Sequence, residues 1–204
     1  MGARGGVEVN VELESGRYVP QWYVPDGGLT AADLDRIPGL PPHTELIDGG
    51  LFFMSPQRVF HGLVIKLLDA ALSARRPPGF RVRTNMSVTL ARRHRVEPDV
   101  LVVAATAETG LDQTDYPADA VLLAVEVVSP ESQERDRKTK PTLYATAGIE
   151  HFWRVEENNG KPVVYVYELD PATSSYTPTG IYHDRLKLTV PFEIDADLNG
   201  INDL

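Results

Sequence analysis

The chain has 204 residues, 42% hydrophobic and 24% charged, enough apolar material for a sizeable core. It holds no cysteine, no run of eighteen apolar residues and no apolar N-terminal stretch, which argues against disulfides, thiolate metal sites, a membrane-spanning helix and a secretory signal. A cytoplasmic location is therefore expected, and the net charge of −9 opposes wrapping of a polyanion.

Residues 1–28 are Gly-rich and acidic, with weak alternation in "VEVNVELE", and read as a tail that adds at most one edge strand. Residues 29–204 read as one domain. "LTAADLDRI" predicts a short helix with Thr30 as its N-cap and Asp33 three residues on. In "TELIDGGLFFMSP" two apolar runs flank Asp48-Gly49, a hairpin signal. "HGLVIKLLDAALSARR" places Leu63, Lys66, Leu67, Ala70 and Ala71 at helical spacing and stops at Pro77-Pro78-Gly79. Three strands are then predicted in "FRVRTNMSVTL", "VEPDVLVVA" and "AVLLAVEVV". Residues 132–147 predict a helix that either kinks or starts near Pro141 and ends at Gly148. "HFWRVE", "VVYVYEL", "IYHDRLKLTV" and "FEID" predict further strands, with Phe152 and Trp153 as core residues. The order implies a mixed sheet with helices packed on it, in the α/β or α+β class.

Charge is unevenly spread. Seven arginines and no acid lie between Arg75 and Arg95, and "RDRKTK" adds four more basic residues. Arg81, Arg83, Arg92, Arg93 and Arg95 are thus expected to form a positive, nucleic-acid-binding rim; a solvated arginine-rich edge is the alternative.

Two acids interrupt otherwise apolar strands. Asp99 opens "DVLVVA" and Glu126 lies near the end of "AVLLAVEVV". If these strands pair antiparallel, both carboxylates meet at one end of the sheet. Unpaired acids held there cost several kcal/mol, which a divalent cation would relieve, and Mg²⁺ or Mn²⁺ prefers carboxylate oxygens. A solvated strand end for Asp99, or an arginine partner for Glu126, are the competing readings.

The stretches "EPDVLVV", "VEVVSPESQERDRKTK" and "LYATAGIEHFWRV", in that order, resemble the Uma-two family (DUF820) of restriction-endonuclease-like proteins in the PD-(D/E)xK nuclease superfamily. The likeness runs from about residue 45 to the C-terminal strands. It implies a restriction-endonuclease-like mixed central sheet flanked by helices, with an extra N-terminal hairpin and C-terminal strands. It also implies Mg²⁺-dependent hydrolysis of phosphodiester bonds, expected to be those of DNA.

Carried over, Pro98-Asp99 is the "PD" element and Glu126 the following acid. The superfamily lysine would stand at 128, where this chain has Val128. The family takes a lysine from the next helix, and Lys140 matches it; Lys138 does not match in its spacing to Tyr144. An i,i+4 ion pair with Asp136 is the alternative role for Lys140; as the catalytic lysine it is expected to face the surface and add little stability. Glu45 matches a recurrent acid, a further metal ligand or a solvated hairpin carboxylate. His61 matches a recurrent position and is an accessory candidate or a helix-end hydrogen-bonder. A non-catalytic nucleic-acid- or protein-binding module retaining the fold competes with the nuclease reading. A carboxylate-pair glycosidase has less support, needing neither lysine nor arginines. Exposed edge strands are compatible with a homodimer.

Overall fold

The structure, a computed structural model, describes residues 7–9, 22–24 and 27–204. Within the expected tail, β1 (Val7–Val9) pairs antiparallel with β2 (Trp22–Val24), and the remainder of residues 1–26 lies outside the described residues. The helix expected after Thr30 forms as α1 (Ala31–Leu34): the Thr30 N–H and hydroxyl both donate to Asp33 Oδ2, at 2.8 and 2.6 Å. β3 (Thr44–Ile47) and β4 (Gly50–Phe53) form the expected hairpin. Asp48 and Gly49 both have positive φ, 51° and 77°, as a two-residue type I′ connection demands. A Cβ at Gly49 would also crowd the Leu29 carbonyl oxygen at 3.0 Å, which adds to the preference for glycine there.

α2 (Val59–Arg75) turns one stripe inward: His61, Val64, Leu68 and Leu72 are its buried residues. Beyond it, the segment predicted as one strand over residues 80–90 is two, β5 (Phe80–Thr84) and β6 (Ser87–Ala91). Asn85, at φ 52°, breaks it, and the chain leaves one sheet for another. It returns through β7 (His94–Val96) and β8 (Val100–Ala104), separated by Pro98, which has no N–H to give a ladder. Pro98-Asp99 is therefore the joint between two sheets.

After β9 (Asp115–Pro117) and β10 (Val121–Val127), the predicted helix divides. Arg135–Thr139 is a π-helical turn, and α3 (Lys140–Thr146) starts with Pro141 in its first turn, where the missing N–H costs nothing. Gly148, at φ 81°, follows its end. β11 (His151–Asn158), β12 (Lys161–Asp170), β13 (Ser175–Tyr182), β14 (Arg185–Leu188) and β15 (Ile194–Asp197) complete the order. The strand predicted over 181–190 is broken at His183-Asp184, and its first two residues end β13.

One sheet has six strands in the order β13-β12-β11-β10-β8-β5, antiparallel except for β10 and β11, whose parallel crossover carries α3. The other has the order β4-β3-β7-β6-β9. α2 and the β14–β15 pair cover one face of the six-stranded sheet, with Leu68, Leu72, Val102, Val125, Trp153 and Ile194 in one core. The five-stranded sheet and α3 cover the other face, where Leu101, Ala124 and Phe152 meet Val88, Val96 and Tyr144. Cover on both faces explains why β8 and β10 are nearly continuous apolar runs. This is the mixed α+β architecture expected, with Phe152 and Trp153 in the core. Among the described residues no helix is long and apolar enough to cross a membrane.

Candidate active site

The antiparallel register sets Val100 opposite Val125, and the Asp99 N–H donates to the Val125 carbonyl at 3.0 Å. The next step of that register puts Asp99 beside Glu126, at the end of the sheet where the chain changes layers. Asp99 Oδ2 accepts from the Val127 N–H at 2.6 Å, and Oδ1 lies 2.9 Å from His61 Nε2. His61 reaches it because it stands first in the inward stripe of α2.

Glu126 is buried and points to the side of the sheet covered by α3. Its partner is no arginine. Lys140 Nζ donates to Glu126 Oε2 at 2.9 Å, and the Tyr144 hydroxyl donates to Oε1. Lys140 is only 1% exposed, so the surface-facing lysine expected from sequence is in fact a core residue. Its ammonium also lies 2.8 Å from Glu45 Oε1 and 3.6 Å from Asp136 Oδ1. Glu45, fully buried in β3, brings the second sheet into the cluster, and its Oε1 accepts from the Glu97 N–H at 2.9 Å. Asp136 is held from the other side: Ser132 donates to it, and the Ser129 N–H donates to Ser132 Oγ at 3.1 Å.

Asp136 and Tyr144 are site residues that the sequence reading did not single out for function. Their signal was there: Asp136, Lys140 and Tyr144 recur every four residues, a polar stripe on one side of a helix. All three are buried.

The charges do not balance. Four carboxylates, those of Glu45, Asp99, Glu126 and Asp136, face one ammonium. Burial pushes the Glu126 carboxyl well above the usual carboxylate range; Lys140 opposes this, while Asp136, Asp99 and Glu45 add to it. Burial likewise raises Asp136, against Lys140 and the Ser132 hydrogen bond. Burial alone would lower Lys140, but Glu126, Glu45, Asp136 and Asp99 outweigh it and hold the ammonium well above its ordinary value. Tyr144, raised by burial and then by Glu126, keeps its proton and stays a donor.

A hard divalent cation, the group implied by the family resemblance, fits this donor set. The candidate ligands are carboxylate oxygens in negative excess, and Glu45 Oε2 is buried with no hydrogen-bond partner. Among the described residues no three acids or histidines are arranged as a ready-made metal shell, and Lys140 Nζ lies within 2.8 Å of Glu45 and 2.9 Å of Glu126.

The five arginines of the expected rim are engaged in different ways. Arg81 and Arg83 both pair with Glu108, and Arg95 is buried on Asp35 at 2.7 Å. Arg93 donates to the Asp48 carbonyl under the β3–β4 turn. Arg92 stands at the β6–β7 turn, in the five-stranded sheet, and lines a cavity together with Arg95 and Asp35. Two acids remote in sequence, Glu108 and Asp35, thus partner three of the five arginines.

A family model described as "Putative restriction endonuclease", Uma2, matches residues 31–199. The fold is similar to a crystal structure of a "putative nuclease belonging to DUF820" from Anabaena variabilis, with a TM-score of 0.60 and 14% sequence identity. That similarity covers 86% of this chain and 98% of the other. No curated protein matches the chain.

Proposed function

The chain belongs to the Uma2 family of restriction-endonuclease-like proteins, and on that premise we propose that it is a metal-dependent nuclease hydrolysing phosphodiester bonds of DNA. The observation that carries the reading is the buried Lys140 shared by Glu45 and Glu126, with Asp99 on the adjoining strand. Asp99, Glu126 and Glu45 would hold Mg²⁺ or Mn²⁺. When bound, such an ion supplies Lewis-acid polarisation of a phosphoryl oxygen and a more acidic water.

Within this reading the protein's own groups divide the work. Lys140 keeps its proton, so it acts as a fixed cation and hydrogen-bond donor toward the charge that develops on the phosphate. Tyr144 and Lys140 together fix the Glu126 carboxylate through both of its oxygens. His61 orients Asp99, with the Val127 N–H holding the other Asp99 oxygen. Asp136, tethered through Ser132, steadies the ammonium from behind.

The test is cleavage of plasmid DNA with added Mg²⁺ or Mn²⁺ by the wild type and by Glu126→Gln. Cleavage by the wild type alone is expected. No cleavage by the wild type across substrates would favour the non-catalytic binding module, a reading that draws on Lys140 Nζ lying against both Glu45 and Glu126.

A further inference from the structure

α3 and the turn before it carry chemistry on both sides. Lys140 and Tyr144 face inward to Glu126, whereas Arg137, Lys138 and Thr142 line a groove of about 410 Å³ on the outside. The far wall of that groove is the six-stranded sheet, contributing Arg154, Tyr167 and Tyr176. On a chain of net charge −9, three cations line this groove and no carboxylate does.

The groove lies beside the candidate active site. Arg154 is the register partner of Glu126 in the neighbouring parallel strand. Arg137 also lines a second cavity, of about 230 Å³, which reaches His61 and Ser129. A polymer lying along α3 would thus pass from the groove to the rim of the acid cluster across Arg137.

The cations are presented in different ways. Arg154 is held in place, its guanidinium 4.8 Å from the Tyr165 ring centre and 5.6 Å from that of Tyr167. Arg154 and Arg137 share one acid, Glu156, at 2.8 and 2.5 Å, so two guanidiniums meet a single negative charge. Lys138 meets Glu134 at 3.4 Å in a pair exposed on both sides, an interaction weak enough for a phosphate to displace.

We propose that this groove carries the nucleic-acid strand flanking the cleaved phosphodiester, with its phosphates on Arg137, Lys138 and Arg154. The inference rests on the nuclease reading above and adds where and by which residues the strand is held. Charge complementarity selects a polyanion, and the proximity of the site selects one whose backbone is also the substrate.

The test is the affinity of the full-length protein for a labelled DNA duplex, measured by fluorescence anisotropy over a salt series. Lys138→Glu is expected to weaken binding about tenfold and to lower the slope of log affinity against log salt by about one, with Lys138→Ala smaller in the same direction. Lys187→Glu, an exposed charge reversal on β14, should leave both unchanged. Wild-type affinity and slope in both Lys138→Glu and Arg137→Ala would overturn the groove. So would poly-glutamate competing as well as DNA, which would make the surface a site for acidic protein segments. A wild type that hydrolyses bis(p-nitrophenyl) phosphate with Mn²⁺ but has no salt-dependent affinity for DNA would overturn the groove and spare the hydrolytic reading. A wild type with neither property would overturn both.

Discussion

Lys140 and Glu126 form an ion pair of 2.9 Å in which each side chain is almost wholly withdrawn from water. Neither residue would be stable there alone, since an isolated buried charge costs several kcal/mol. The pair joins the start of α3 to the end of β10, and Glu45 extends it to the second sheet. The proposed catalytic group is therefore also a structural tie between layers.

Replacing Lys140 by alanine should accordingly destabilise the protein by about 3–5 kcal/mol, because it leaves acids buried without their cation. Urea denaturation measures this directly. Lys140→Met with Glu126→Gln, which removes charge from both partners, should recover part of the loss and still be inactive. A Lys140→Ala protein as stable as the wild type would show that the ammonium is dispensable to the fold.

Asp99 and Glu126 were legible in the sequence because an acid inside a strand-length apolar run stands out against periodicity. Their meeting required only antiparallel pairing of two strands, and β8 and β10 provide it. Lys140 was assigned through family resemblance; its four-residue spacing from Asp136 and Tyr144 marks a shared side of a helix but cannot announce the π-helical turn at Arg135–Thr139 or the burial that follows. The partners of the arginines were hidden for a different reason. Glu108 lies 25 residues beyond Arg83 and Asp35 lies 60 residues before Arg95, so no local window contains these acids. The break at Asn85 was equally hidden, since a single residue of positive φ moves the chain between sheets without interrupting its apolar pattern.

His61 tests whether the second carboxylate oxygen of Asp99 matters. Its Nε2 is the side-chain contact that fixes Asp99 Oδ1, while the main chain at Val127 fixes Oδ2. Outer contacts of this kind change metal affinity or activity about 10–100-fold when removed. His61→Ala should therefore weaken Mn²⁺ binding, read by titration calorimetry, and lower cleavage within that range. Mn²⁺ affinity equal to that of the wild type would remove His61 from the site.

The raised carboxyls give the metal-free protein a pH signature. An unfolded Glu or Asp ionises near pH 4, whereas burial holds folded Glu126 and Asp136 protonated to higher pH. Their contribution to stability is full below the unfolded value and is lost as pH rises through the folded one. Lys140 is raised too, but its contribution persists through neutral pH and fades only in the alkaline range. His151, lowered by burial, acts oppositely near neutral pH. The comparison that isolates Glu126 is thus wild type against Glu126→Gln. The melting temperature of the wild type should fall relative to that of the variant as pH rises above the ordinary carboxylate range. Parallel curves would mean that Glu126 is ionised throughout.

The excess of carboxylates over cations in the cluster leads to the last prediction. A divalent ion that binds the folded chain and not the unfolded one stabilises it by mass action, by about 2.7 kcal/mol at a hundredfold excess over Kd. Mn²⁺ or Mg²⁺ should therefore raise the melting temperature of the wild type, an effect that requires no substrate and no turnover. Glu126→Gln and Asp99→Asn each remove a charged ligand and should abolish the rise, whereas Glu45→Gln should reduce it, since Glu45 Oε2, like Asp136 Oδ1, is a buried oxygen without a hydrogen-bond partner. Lys140 makes the argument sharper, because its ammonium now lies between Glu45 and Glu126 and must yield space or share it. In Lys140→Met the ion should consequently bind without that competitor, and the metal-induced rise should exceed that of the wild type. A rise that survives both Glu126→Gln and Asp99→Asn would place the ion elsewhere on the protein.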